Sequence, residues 1–349
     1  MPFSLRLLLL STCALIAPLA HAASFDCKLA HTPREHAICD DPKFAELDSR
    51  LTLAYKTMLS HVSPAGAAIV QSDQHNWLSW LDSACLPPER TSPAINRQCL
   101  TDEYTNRLIH LVAGPTLPDG HTFFSRSHYV FVPANNAPTG SGVVTGFGEG
   151  FFFWPQIDRP TPHEAAWNRA IYAYVVSLTS DTSHHPTSFD NAVDPATETS
   201  LPYLIRSANS KLISVRHRNY SSLLEGGNVS NVARTFNWWL DRDRPVQASD
   251  IFLDSTHWQT LLIDPAIAKL NVTLKHAVLD GDELRERVAE GIANANQWTL
   301  SSSGLELVFS EYTVTPFVDG NVLIDFSWPE LKPYLNPAFD PTLLPPLLR

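Results

Sequence analysis

Ala113-Gly114-Pro115-Thr116-Leu117-Pro118-Asp119-Gly120 divides the chain into two kinds of sequence. Two prolines and two glycines within eight residues support neither a helix nor a strand, so 114–120 reads as a linker. Before it, apolar residues recur three and four positions apart; after it they come in short, often alternating runs between turn signals. This predicts an α+β protein. A small disulfide-linked three-helix domain at 23–113 precedes an α+β domain at 121–349 with an antiparallel sheet packed by helices.

In the first part, Asp41-Pro42 is a cap followed by a first-turn proline, and Phe44, Leu47, Leu51, Tyr55, Met58 and Leu59 then share one helical face. Ser63-Pro64 opens a second helix through Ile69, Val70, Trp77, Trp80, Leu81 and Ala84. A third, over 96–112, carries Leu100, Tyr104, Leu108 and Leu111 on its inner stripe. Beyond the linker, runs such as 129–132, 212–215 and 305–309 read as strands, with helices expected at 162–178 and 279–294. The segment 180–202, rich in Ser, Thr, Asp and Pro, is expected as an exposed loop.

The chain begins with Arg6, an apolar run at 7–19 and Ala20-His21-Ala22, the three parts of a secretory signal at 1–22. A periplasmic or secreted location is therefore expected. Cleavage after Ala22 removes Cys13 and leaves Cys27, Cys39, Cys85 and Cys99, an even number in an exported chain. Four cysteines allow three connectivities. The local pairs Cys27–Cys39 and Cys85–Cys99 are favoured because each closes a short loop beside a helix, stabilising by roughly 3 kcal/mol on the loop-entropy account. No later run approaches the length of a membrane span. With 25 basic against 36 acidic residues and a net charge of −11, the chain lacks the electrostatic footprint of a nucleic-acid binder and suits a basic partner.

The motifs that would carry chemistry have plain structural readings. Gly140, Gly142, Gly146, Gly148 and Gly150 run into the aromatic stretch 151–154 with no Lys-Ser or Lys-Thr, which reads as a glycine-rich strand rather than a phosphate cradle. His163-Glu164 lacks a second histidine four positions on and reads as a helix start; His184-His185 lies in the polar segment. Asp241, Asp243, Asp250 and Asp254 could hide a glycosidase pair, but read first as a turn followed by a helix cap. No cofactor, metal or catalytic set is expected, and Trp238, Trp239, Phe252 and Trp258 read as core. The stretch 220–228 is more informative: Tyr220, Ser221 and Ser222 lead through Glu225 to Gly226, Gly227 and Asn228, a strand ending in a protruding turn with hydroxyls and a carboxylate suited to a partner's cleft.

Phe25-Asp26-Cys27, Glu35, Ile38-Cys39, Leu47-Asp48, Tyr55, Gln74, Trp77-Leu78, Cys85, Cys99-Leu100, Tyr104 and Arg107-Leu108 give 24–111 a pattern that resembles the N-terminal domain of the lysozyme inhibitor LprI family. Leu81 stands where that family usually has Arg, so no role of that arginine carries over. Asn168, Ile171, Tyr220 with Gly226-Gly227, the run Ser249-Asp250-Ile251-Phe252, Trp298-Thr299-Leu300, Gly304-Leu305, Phe309, Tyr312, Pro316-Phe317, Gly320 and Leu331 are similar to the domain shared by the RsiV anti-sigma factor and certain exported peptidoglycan deacetylases. In the deacetylases this domain accompanies catalysis without supplying it. Asn228 and Val229 replace the Ala-His that often follows the paired glycines there.

Both resemblances imply a connection with lysozyme, whose animal-type members are strongly basic. They imply a non-enzymatic binding protein that recognises, and sterically inhibits, lysozyme or another basic cell-wall-active protein. The alternatives are an envelope module bound to peptidoglycan or to a cell-wall enzyme, and, third, a cell-wall hydrolase.

Overall fold

The computed structural model describes residues 23–85, 95–111, 122–132, 148–179, 188–193, 197–223, 230–274, 281–315 and 320–348. The expected signal at 1–22 and linker at 114–120 lie outside the described residues.

Among the described residues four α-helices, rather than three, precede the first strand: α1 (Pro33–Asp40), α2 (Pro42–His61), α3 (Pro64–Ala84) and α4 (Arg97–His110). The extra helix, α1, is short and buries Ala37 and Ile38, so it shows no amphipathic repeat to read. Its Thr32–Glu35 capping box and the Cys27–Cys39 disulfide fix it instead. Asp41, Ser63 and Asn96 cap the other three helices through their side chains. The Cys85–Cys99 bond ties the end of α3 to the start of α4. Trp77 is fully buried at the centre, with its ring edge-on to Tyr104 at 5.3 Å.

A seven-stranded sheet follows: β1 (Phe123–Val132), β2 (Gly148–Ile157), β3 (Thr197–Leu201), β5 (Leu212–Leu223), β6 (Ser230–Trp239) and β7 (Arg244–Pro245) in that order, with β4 (Tyr203–Ala208) paired to β5. The twelve residues of β5 accommodate both partners, β3 along its C-terminal half and β4 along its N-terminal half. The sheet is mixed, its neighbours antiparallel except that β2 and β3 run parallel. Helix α5 (Pro162–Ser177) lies between them in sequence and returns the chain to the end from which β2 started, as a parallel connection requires. A second, antiparallel sheet has the order β10 (Val322–Ser327), β9 (Gly304–Phe309), β8 (Trp298–Ser301). It shares a core with the short α6 (Ala248–Ile251), with α7 (Trp258–Thr273) and with α8 (Gly281–Ala293). The apolar residues of α7 are not confined to one stripe and Pro265 interrupts it, which is why periodicity did not mark it.

The expected loop at 180–202 is corrected in its second half, which contains β3, while Phe189 before it is buried against Phe152. Thr197-Glu198-Thr199-Ser200-Leu201 is too polar to be recognised as a strand near the middle of a sheet.

One face of the large sheet packs on α5, where Phe152, Trp154, Leu201 and Val215 meet Trp167, Ile171 and Val175. The other face has two covers. Over β1 and β2 lie the helices of the first part, whose core takes in Tyr129 and Phe153. Polar clamps join them: Asp73 of α3 accepts from Arg126 Nε at 2.9 Å and from the Ser127 amide at 3.0 Å, and Ser63 donates its amide to Asp158 at 2.7 Å. Over β5 and β6 lies the second sheet, met by the buried polar row Ser214, Arg216, Thr235 and Asn237. Arg216 donates to Thr299 and to Glu306, and Arg206 reaches the same carboxylate at 3.2 Å. The two covers differ in chemistry, and a cavity opens beside the first of them, over β3.

Candidate functional site

Cross-strand register builds this cavity. Glu149 of β2 lies opposite Glu198 of β3, and Glu198 lies opposite Ser222 of β5. Directly paired residues project from the same face, so two carboxylates and a hydroxyl form one row. In the next row Tyr129, Phe151, Ser200 and Tyr220 stand side by side across four strands. Helix α4 forms the opposite wall with Glu103 and His110, and the enclosed space is about 240 Å³. The floor is aromatic: His110 stacks flat on Phe153 with centroids 3.6 Å apart, and Phe151 meets Trp80 edge-on at 5.1 Å.

The electrostatics follow from burial and like charge. Burial pushes the Glu103 carboxyl up to about 7, and Asp102 and Glu198 add to the shift. Glu149 rises to about 8, again first through burial and then through Glu198 and Glu103. Burial, helped by Arg107, pushes His110 down to about 3, so its ring is neutral at physiological pH. Among the described residues none of Glu103, Glu149 and Glu198 is in an ion pair. Arg107 beneath the floor is engaged by Gln74 and Ser127 at 2.9 and 2.8 Å, and Arg218 is exposed, donating to the Tyr220 hydroxyl at 3.3 Å. Like carboxylates without counter-cations cost stability, an arrangement that marks candidate functional sites. Carboxylates above aromatic rings can receive an ammonium or a guanidinium, which lowers the raised pKa values of Glu103 and Glu149 as it enters.

Of the expected contact residues, Tyr220 and Ser222 lie near the end of β5 on the cavity's face, opposite Ser200 and Glu198, whereas Ser221 lies opposite Thr199 and projects from the other face. Glu225, Gly226, Gly227 and Asn228 lie outside the described residues. Sequence reading missed Glu103, Glu149 and Glu198. Two signals were available: the polar strand 197–201 beside a helical crossover, and a glutamate between glycines at Gly148-Glu149-Gly150.

The remaining candidates occupy structural positions. Gly148 and Gly150 belong to β2, while Gly140, Gly142 and Gly146 lie outside the described residues, as do His184 and His185. Glu164 forms a capping box with Thr161 at the start of α5, and His163 Nδ1 lies 2.9 Å from Asp243. Asp241 pairs with Lys211. Asp250 accepts from Arg242, Arg244 and the Trp239 indole, and its backbone-capping bond to Gln247 opens a short helix. Among the described residues no helix is long and apolar enough to cross a membrane.

No family model and no curated protein matches the chain. Among solved structures, a DUF3298-family protein from Bacteroides fragilis aligns with a TM-score of 0.42 at 13% identity, over 62% of this chain and 94% of its own. A DUF3298-family protein from Pseudomonas aeruginosa aligns with a TM-score of 0.43 at 12% identity, over 64% of this chain and 96% of its own.

Proposed function

We propose that this is an exported, non-enzymatic binding protein that captures a basic protein, lysozyme or a related muramidase first among them, and blocks it sterically. The observation that carries the reading is Glu103 and Glu198 in the wall of an aromatic-floored cavity, with Glu149 beside Glu198 on the next strand and no cation paired to the three among the described residues. A lysine or arginine of the partner would supply the missing charge. Tyr220 and Ser222, on the cavity's face of β5, would extend the contact toward Glu225, Gly226, Gly227 and Asn228, with Ser221 on the strand's other face. Net charge of −11 would steer a cationic partner, and the disulfides suit an oxidising compartment.

Calorimetric titration with hen-type and bacterial-type lysozymes at two salt concentrations, beside a cell-wall lysis assay, tests this. The expected result is binding that persists at physiological salt, inhibits lysis and weakens at least tenfold in a Glu149→Gln, Glu198→Gln double variant. Binding lost at physiological salt would reduce the interaction to charge attraction, and no binding to either lysozyme would remove the reading.

A further inference from the structure

A second cavity lies at the opposite edge of the same seam, between α3, β1 and α5, and is the larger of the two at about 490 Å³. That volume falls within the ~300–1,000 Å³ usual for small-molecule sites. Its lining limits what can enter. Arg126 is its strongest cation, but Nε and Nη2 donate to Asp73 and Nη1 donates to Gln156 at 2.7 Å. The guanidinium also lies 5.1 Å above the Trp154 ring. An anion therefore finds the positive charge already neutralised. A purely apolar ligand would strand the polar groups that line the walls.

Those groups retain hydrogen-bonding capacity. Asn76 accepts from the Tyr129 amide at 2.9 Å through Oδ1, and its amide N–H groups donate to no acceptor among the described residues. His128 Nε2 lies 2.8 Å from Asp190 Oδ1, and the Asp190 side chain is 72% exposed. The Ser72 hydroxyl also lines the cleft. Beside these lies one accessible ring: Tyr172 is 40% exposed, and its far side is braced edge-on by Trp154 at 5.4 Å and Phe189 at 5.6 Å. A rigid aromatic face flanked by an amide, a carboxylate, an imidazole and a hydroxyl is complementary to a ring that is apolar on one face and ringed by hydroxyls. We infer that this cleft is a saccharide-binding site, in which a hexopyranose of an oligosaccharide packs on Tyr172 and is hydrogen-bonded by Asn76, Asp190 and Ser72. It is separate from the acidic cavity and does not depend on the protein-binding reading.

The test is calorimetric titration of the full disulfide-bonded chain with chitotriose, cellotriose and maltotriose, with no lysozyme present. Saturable binding of at least one trisaccharide is expected. Tyr172→Ala should weaken it about five- to tenfold, Tyr172→Phe should leave it within about threefold, and Leu204→Ala, an exposed residue on another strand, should leave it unchanged. Asp190→Ala, at an exposed side chain, provides a second reading should Tyr172→Ala fail to fold by near-ultraviolet circular dichroism. Failure of all three sugars to bind overturns the inference. So does binding that survives Asp190→Ala together with a folded Tyr172→Ala.

Discussion

Glu306 and Glu149 project from the two sheets into spaces above the same face of the large sheet, yet they are treated in opposite ways. Glu306 is buried and met by Arg216, by Arg206 and, through the shared guanidinium, by Thr299. Glu149 is half-buried and faces Glu198 and Glu103. The first arrangement clamps the second sheet to the first with charge that is fully accounted for inside the protein. The second gathers carboxyls with no cation beside them, so that Glu103 and Glu149 hold their protons to about pH 7 and 8 and release them readily only when a cation is near. Carboxyls that are costly to ionise in the free protein have a use if a cation arrives from outside, and this contrast, not the overall acidity, distinguishes the cavity from an ordinary acidic surface.

The contrast can be broken most forcefully at Glu306. Glu306→Gln leaves Arg216 buried without its anion and should cost about 3–5 kcal/mol, read as a lower urea midpoint with an unchanged slope. Next in size, Cys85→Ser with Cys99→Ser should cost about 3 kcal/mol, because α4, the outer wall of the cavity, loses its tether to α3. A loss confined to a few tenths would mean that the Trp77–Tyr104 core alone holds that wall. At the acidic cavity the sign reverses. Glu149→Gln should stabilise the protein by about 1–2 kcal/mol at pH 8, after allowance for solvent access, while weakening capture of a cationic partner. Parallel thermal melts at pH 4 and pH 8 check this, since the gain should all but vanish at the lower pH, below the unfolded value of 4.5. Smallest of all, Asp241→Asn breaks the exposed pair with Lys211 and should change stability by less than about 0.5 kcal/mol.

The pH dependence sharpens the same comparison. The carboxyls of Glu103 and Glu149 are raised from 4.5 to about 7 and about 8, so the folded state holds protons that the unfolded chain has released. Their favourable contribution is complete below about pH 4.5 and is lost as pH rises through 7–8. His217 acts at the other end. It is fully buried and its ring is pushed from 6.5 down to about 3 by burial. Its contribution is complete above about pH 6.5 and is lost as pH falls toward 3. Denaturant midpoints across pH 3–9 should therefore peak between these limbs, and Glu149→Gln should flatten the alkaline limb alone.

Legibility followed locality. Asp41-Pro42, Ser63-Pro64 and Thr161-Pro162 are local cap signals, and the helices α2, α3 and α5 start where they stand. The strand runs at 129–132, 212–215 and 305–309 fall inside β1, β5 and β9. What escaped was set by neighbours: α1 by a disulfide, α7 by a core that surrounds it, and β3 by strands that pair with a polar segment on both sides. Of the contact residues expected at 220–228, Tyr220 and Ser222 project from the face of β5 that carries Ser200 and Glu198, whereas Ser221, opposite Thr199, projects from the other face; the sequence offered no reason to join any of them to Glu103, Glu149 or Glu198.

The amino-acid sequence by itself determined the helical start, the α+β remainder and the acidity, because caps, hydrophobic spacing and charge are properties of neighbouring residues or of composition. Only the tertiary structure decided which carboxylates are paired and which are not. That depends on the register that sets Glu149 beside Glu198 and on the packing that lowers α4 over both, while the second sheet is pressed onto Arg216. Electrostatic energy depends on distance in space and on access to water, and neither is written along the chain.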